Sequence, residues 1–178
     1  MTLRYSSNLP HQQNAINAVL SLFDAQIAQE DSFAILDDEA VVDNRLTIDE
    51  EQILSNLQAV QSANNLPLTQ KLESLDFSLE METGTGKTYV YLRTALELYI
   101  RYGWKKFVVV VPSIAIKEGA LSSLEGMSAH FLQELKIRYN YFEYSSERLT
   151  ELRHFIRDDE LQIMVTTLDG FKRQNTVM

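Results

Sequence analysis

Apolar residues recur at three- and four-residue steps through Ile16, Val19, Leu20, Phe23 and Ile27. That spacing gathers side chains on one helical face and predicts a helix from Pro10 to about Gln29. Pro10 suits its first turn, where a backbone N–H would have no helical partner to lose. The pattern then lapses. From Asp31 to Glu51 there are eight acidic residues and one basic residue, Arg45. Helical periodicity returns only at Ile53, Leu54, Leu57 and Val60, which point to a second short helix. The stretch 31–72 reads as an irregular, solvated acidic insertion, because a run of charge is ordinarily just a wet face.

Beyond Leu72 the pattern becomes an alternation of strands and helices. Leu75–Glu80 reads as a short strand leading into a Gly-rich loop, Thr88–Arg101 as a long apolar helix, and Lys106–Val111 as a buried strand. Pro112-Ser113 then turns the chain into a helical stretch over Ile114–Leu124, with another past Gly126 at Ser128–Lys136. Ile137–Tyr144 predicts a third strand, Glu147–Ile156 a helix, and Leu161–Thr166 a fourth strand. Such alternation implies an α/β fold, a parallel sheet with helices on both faces. No internal repeat or low-complexity tract interrupts it.

Composition narrows the picture. A chain of 178 residues, 45% hydrophobic and 10% aromatic, matches one compact domain (1–178) with the acidic insertion inside it. Acidic residues number 25 against 16 basic, a formal charge of −9. That charge repels a phosphate backbone at long range, so any DNA contact has to be local. The absence of cysteine excludes disulfides and thiolate metal sites and is compatible with a cytoplasmic protein. His11, His130 and His154 lack the spacing of a helical metal pair. No basic segment followed by an apolar one opens the chain, and no run approaches the roughly 20 apolar residues of a membrane helix. A cytoplasmic location without membrane association is the expectation.

The sharpest chemistry lies at Met81-Glu82-Thr83-Gly84-Thr85-Gly86-Lys87-Thr88. A phosphate-binding P-loop is Gly, four residues, Gly-Lys, then Ser or Thr; its glycines let backbone N–H groups curl around phosphates. Met81 stands at the first Gly position and the rest is intact. Gly84 and Gly86 permit close backbone approach, Lys87 can reach the β- and γ-phosphates, and the Thr88 hydroxyl can be offered to Mg²⁺. The helix opening near Lys87 directs its positive dipole end at the same place. Thr83 to Thr88 are therefore the candidate cofactor-binding residues. An ordinary Gly-rich turn is the bland alternative, made less attractive by the predicted strand before the loop and the helix after it.

Glu80 through Thr88 resembles superfamily-2 helicases and translocases, which commonly lack the first Gly and carry Thr-Gly-x-Gly-Lys-Thr. The longer string from Phe77 to Thr94 is similar to the restriction (Res) subunit of type III restriction-modification enzymes, at the start of its first RecA-like motor domain. Lys106 through Gly119 resembles that family's motif Ia. The resemblance implies that Pro112, Ser113 and Lys117 meet phosphates of a tracked DNA strand; a plain strand-to-helix turn is the alternative. Leu9-Pro10-His11-Gln12-Gln13-Asn14-Ala15-Ile16 is similar to the superfamily's upstream glutamine motif, which implies that the Gln12 amide reads an adenine edge. A solvent-facing helical Gln is the alternative there. Ile163 through Phe171 resembles motif Ib, with Thr166 and Thr167 as a further DNA-phosphate turn.

Taken together the resemblance implies an incomplete RecA-like P-loop NTPase sheet within an ATP- and Mg²⁺-dependent DNA motor. Such a motor acts beside a modification methyltransferase subunit, and the complete enzyme cuts DNA. Hydrolysis in this superfamily needs an Asp-Glu pair at the end of a later strand, to hold Mg²⁺ and place the attacking water. After the P-loop the sole Asp-Glu is Asp159-Glu160, which precedes a predicted strand. The expectation is an N-terminal fragment with no complete catalytic set, able to bind nucleotide without turning it over. Another superfamily-2 DNA or RNA helicase, or a non-catalytic remnant that keeps the fold, stays open on the sequence.

Overall fold

The computed structural model of the protein describes residues 9–29, 33–36, 39–144 and 149–172. Asp31, Asp37 and Asp38 of the acidic run and the start of the predicted helix Glu147–Ile156 lie outside them. The chain divides into two compact units. A helical unit takes the described parts of Ser6–Gln29 and Arg45–Tyr102, and a sheet unit takes those of Glu30–Asn44 and Gly103–Met178.

In the helical unit, α1 (Pro10–Ser21) packs against α2 (Glu50–Ala63) and α3 (Lys87–Tyr102). Of the residues the periodicity gathers, Ile16 and Leu20 of α1 and Ile53 of α2 are buried, joined by Ala15 of α1 and by Val90, Leu92, Ala95 and Leu96 of α3. Helix α1 ends sooner than its periodicity predicts. Ala25 takes a left-handed φ of 75°, and Ile27 beyond it is exposed. Two buried amides fix this exit. Asn56 Nδ2 donates to the carbonyls of Leu22 (3.0 Å) and Asp24 (2.9 Å). Gln26 Nε2 donates to the Arg45 carbonyl at 3.0 Å while its Oε1 accepts from Thr47 N at 2.8 Å.

Part of the acidity in this unit is structural. The Asp49 carboxylate caps α2 by accepting from Gln52 N at 2.8 Å, and Glu50 and Glu51 follow in the first turn, where negative charge meets the positive end of the helix dipole. After α2 the chain is tied down at Thr69, whose N–H donates to Gln61 Oε1 at 2.8 Å and whose carbonyl accepts from Gln58 at 2.7 Å. The strand expected over Leu75–Glu80 does not form. The apolar alternation is present, but Leu75 and Leu79 are exposed and no ladder partner is paired with the segment. Without a partner, alternation alone does not make a strand.

The sheet unit begins with an antiparallel pair, β1 (Phe33–Leu36) and β2 (Glu39–Val42), inside the stretch expected to be irregular. Asn44 then links this pair to the next strand, its Oδ1 accepting from Lys105 N (2.9 Å) and its Nδ2 donating to the Lys106 carbonyl (2.6 Å). The main sheet is formed by β3 (Lys106–Val111), β4 (Asn140–Glu143) and β5 (Gln162–Thr167), all parallel, in the order β3-β5-β4.

Helix α4 (Ile114–Leu135) connects β3 to β4 and packs against all three strands. It is one helix where two were expected. The steps Ala120, Leu124, Met127 and Phe131 form a continuous buried stripe across Gly126, and burial on this scale outweighs the roughly 1 kcal/mol that a helical Gly costs. On the central strand, Met164 clusters with Tyr144 of the loop and with Phe155 and Leu152 of α5 (Leu149–Arg157). Its neighbours Ile163 and Val165, which alternate to the opposite face, are 1% and 0% exposed. Both faces of β5 are thus covered, as expected of a parallel sheet. Strand β3 is less enclosed than its five apolar residues, Phe107 to Val111, predict. It lies at the sheet's edge, and Val108 and Val110 are each about half exposed. The short helix α6 (Leu168–Lys172) follows β5.

Candidate functional site

The Gly-rich loop runs into the first turn of α3, and Gly84 and Gly86 take φ of +82° and +88°. Side chains with a Cβ rarely adopt that region. Gly86 has a second constraint, because a Cβ there would stand 2.3 Å from Gln12 Nε2. Gln12 is buried at the start of α1, and Nε2 donates to the Thr85 carbonyl at 2.9 Å. The structure therefore brings together two sequence candidates 73 residues apart. With the amide nitrogen committed to Thr85, Gln12 Oε1 is buried without a hydrogen-bond partner, an acceptor of the kind that ordinarily finds a donor.

Inside the loop, the Glu82 carbonyl accepts from both Thr85 Oγ1 and Lys87 Nζ, each at 2.7 Å. Thr83 and Lys87 are exposed, and Thr88 is half-buried at the helix start. One turn along α3, the Tyr91 phenol shares a hydrogen bond with the Thr88 side chain. Burial holds the Tyr91 pKa above the ordinary tyrosine value, and that hydrogen bond partly offsets the shift. Sequence reading missed Tyr91, though its place three residues after Thr88 on a helix was signal enough. It also missed His11, whose Nε2 lies 3.1 Å from the Thr85 carbonyl.

The candidates assigned to DNA lie in the sheet unit, where strand register explains their company. Val110 pairs with Thr166 and Val111 with Thr167, so the turn Pro112-Ser113 leaves the same carboxyl edge of the sheet as Thr167. Ser113 caps α4, its Oγ accepting from Ile116 N and its carbonyl from Lys117 N. Pro112, Ser113 and Ile114 are exposed there. Lys117 is drawn away from that role. Its ammonium is largely buried and ion-paired to Glu143 of β4, with Glu118 at 3.9 Å. Thr166 is 1% exposed, which leaves its side chain inside the fold, whereas Thr167 Oγ1 accepts from Gly170 N at 3.1 Å.

Asp159 and Glu160 sit at the opposite edge, before β5. Asp159 is paired with Lys105 at 2.5 Å, and Glu160 accepts from Asn140. Among the described residues no group of three or more His, Asp or Glu is placed to hold a metal ion, and no helix is long and apolar enough to cross a membrane.

A parallel sheet covered on both faces, with a loop of left-handed glycines opening a helix, places the protein in the RecA-like α/β class. The family is more specific: residues 6–177 match the family model "Type III restriction enzyme, res subunit", and the chain belongs to that family. It is 31% identical over 150 residues to the EcoPI Res subunit of Escherichia phage P1, and 30% over 147 to the EcoP15I Res subunit of Escherichia coli. Those alignments cover 81% and 79% of this chain. The StyLTI Res subunit of Salmonella typhimurium is 37% identical over 127 residues, or 70% of the chain. The chain spans only about 15% of the length of the first two relatives and 10% of the third.

Proposed function

We propose that this chain supplies the nucleotide-binding and strand-contacting segment of a type III restriction subunit, an ATP- and Mg²⁺-dependent DNA motor acting with a modification methyltransferase in the cytoplasm. The observation that carries the reading is the Gln12 amide on the Thr85 carbonyl, with Gly86 held too close to Gln12 for any side chain. That contact joins the base-reading candidate to the phosphate-binding candidate. The residues present fit the ligand: Gln12 Oε1 is a buried acceptor suited to an exocyclic amine, Lys87 and the backbone N–H groups of Gly84 to Thr88 suit the phosphates, and Thr88 would hold Mg²⁺. ATP with Mg²⁺ would supply the energy for movement.

On the DNA side, Pro112, Ser113 and Thr167 share one sheet edge. An exposed turn at the start of a 22-residue helix offers backbone N–H groups to a phosphate. Lys117 contributes there only if its pair with Glu143 opens. Thr166 supports the turn from within. The placement of Asp159-Glu160 at the far edge, with both carboxylates engaged, favours binding without turnover by these residues alone.

The test is titration of the 178-residue chain with ATP and Mg²⁺. Lys87→Ala is expected to weaken binding by about ten- to a hundredfold, the range for losing a hydrogen bond from a charged group. Unchanged affinity would remove the P-loop assignment.

A further inference from the structure

The Thr85 carbonyl accepts from two side chains at once: Gln12 Nε2 at 2.9 Å and His11 Nε2 at 3.1 Å. A carbonyl oxygen has two lone pairs and donates nothing, so the His11 nitrogen facing it carries the proton. Thr85 lies between Gly84 and Gly86, both at positive φ, and glycines impose little conformational preference of their own. The orientation of the Thr85–Gly86 peptide is therefore set by what holds its carbonyl. That carbonyl and the Gly86 N–H share one rigid plane and point in opposite directions. Holding the oxygen toward α1 aims the Gly86 N–H the other way, into the loop.

We propose that His11 is a positioning residue for the phosphate loop: by donating to the Thr85 carbonyl beside Gln12, it fixes the direction of the Gly86 N–H that meets a bound phosphate. The proposal rests on the nucleotide reading above. His11 is exposed, so its removal takes away one of the two holds on the peptide plane without opening the core. Gln12 is buried, which separates the two residues experimentally. Because His11 acts through the backbone on phosphates, its contribution is the same for a ligand with a base and for one without.

The experiment is titration of the 178-residue chain and its His11→Ala, His11→Gln and Lys87→Ala variants with ATP and with inorganic tripolyphosphate, both with Mg²⁺, alongside thermal unfolding. His11→Ala is expected to weaken both ligands by a common factor of about three to ten, the size of one ordinary hydrogen bond, with the unfolding temperature unchanged. His11→Gln, whose amide keeps a donor, is expected to restore most of the affinity. Loss for ATP alone would assign His11 to the base and overturn the proposal. So would no loss for either ligand while Lys87→Ala weakens binding, or a loss that tracks a lower unfolding temperature and is not rescued by Gln. If Lys87→Ala also has no effect, the nucleotide reading falls first.

Discussion

The Gly-rich loop and the Pro112-Ser113 turn both lead into long helices, yet they are specified in different ways. The loop's shape depends on side chains more than 70 positions away, His11 and Gln12, and on a glycine with no room for a Cβ. The turn is set locally. Pro112 ends the strand, and Ser113 caps the helix from within its own first turn. A loop held from a distance is sensitive to changes in either partner and couples them. A turn held locally tolerates any substitution that keeps its cap.

The loop is the place where this contrast breaks most sharply. Gly86→Ala adds a Cβ at φ +88° and pushes it onto Gln12 Nε2. The left-handed strain alone costs about 1–2 kcal/mol, and displacement of the Gln12 amide adds to it. Affinity for ATP is expected to fall by at least about tenfold. Repeating the substitution in a Gln12→Ala background removes the clash and leaves only the strain. Gly86→Ala should therefore cost distinctly less there, a coupling that a double-mutant cycle of titrations measures. Equal cost in both backgrounds would mean that Gln12 does not hold the loop.

At the sheet edge a smaller, local effect is expected. Ser113→Ala removes the cap of α4 and should destabilise the protein by about 1 kcal/mol, seen as a lower unfolding temperature. Ser113→Asp keeps a capping acceptor and suits the helix dipole, so stability is expected to be retained. It also places a negative charge where the proposed function puts a DNA phosphate. If the turn meets DNA, Ser113→Asp weakens DNA binding in the complete enzyme more than Ser113→Ala does. If the turn is only a turn, the two variants rank by stability alone.

The same local-versus-distant distinction explains what could be read from the sequence. Strand β3 was legible to the residue, because Lys106 is followed by five consecutive residues of strong strand preference, Phe107 to Val111, and a Pro ends them. Helix α3 was legible as an apolar helical run, to within a residue at each end, and the start of α4 from the Pro112-Ser113 turn. The β1–β2 pair was not: each strand is four residues long and sits in an acidic run that masks its short apolar stretches. Leu75–Glu80 misled in the opposite sense, with a strand's alternation but no partner. The break expected at Gly126 gave way to a buried stripe that runs through it. At the candidate site the glycines announced a tight loop of positive φ opening a helix, and Gln12 was reachable only through resemblance, since nothing local links it to Thr85. The ion pair that occupies Lys117 was invisible, because Glu143 lies 26 residues further on, at the end of β4.

The smallest effect sharpens the comparison from the sheet side, at a cluster held by distant partners. Lys106 Nζ donates to the carbonyls of Asp158 (2.5 Å) and Glu160 (3.1 Å) and lies 5.4 Å from the centre of the Phe155 ring, joining β3 to the entry of β5. Burial lowers its pKa from 10.5 to about 8, outweighing the nearby carboxylates of Asp158 and Asp159, which favour the charged form. In the unfolded chain Lys106 keeps its ordinary pKa, so between about pH 8 and 10.5 the unfolded state binds more protons than the folded state. Stability from this group therefore rises as pH increases through that window and is flat below about pH 8, where both states are protonated. Because the amine is partly exposed, solvent screens the effect to a fraction of its nominal size. Lys106→Met should abolish this component. The difference between native and variant unfolding free energies, measured by denaturant titration from pH 7 to 10, should then grow with pH in favour of the native chain. A difference independent of pH would show that Lys106 titrates as an ordinary surface lysine and that its carbonyl contacts, not its burial, govern its charge.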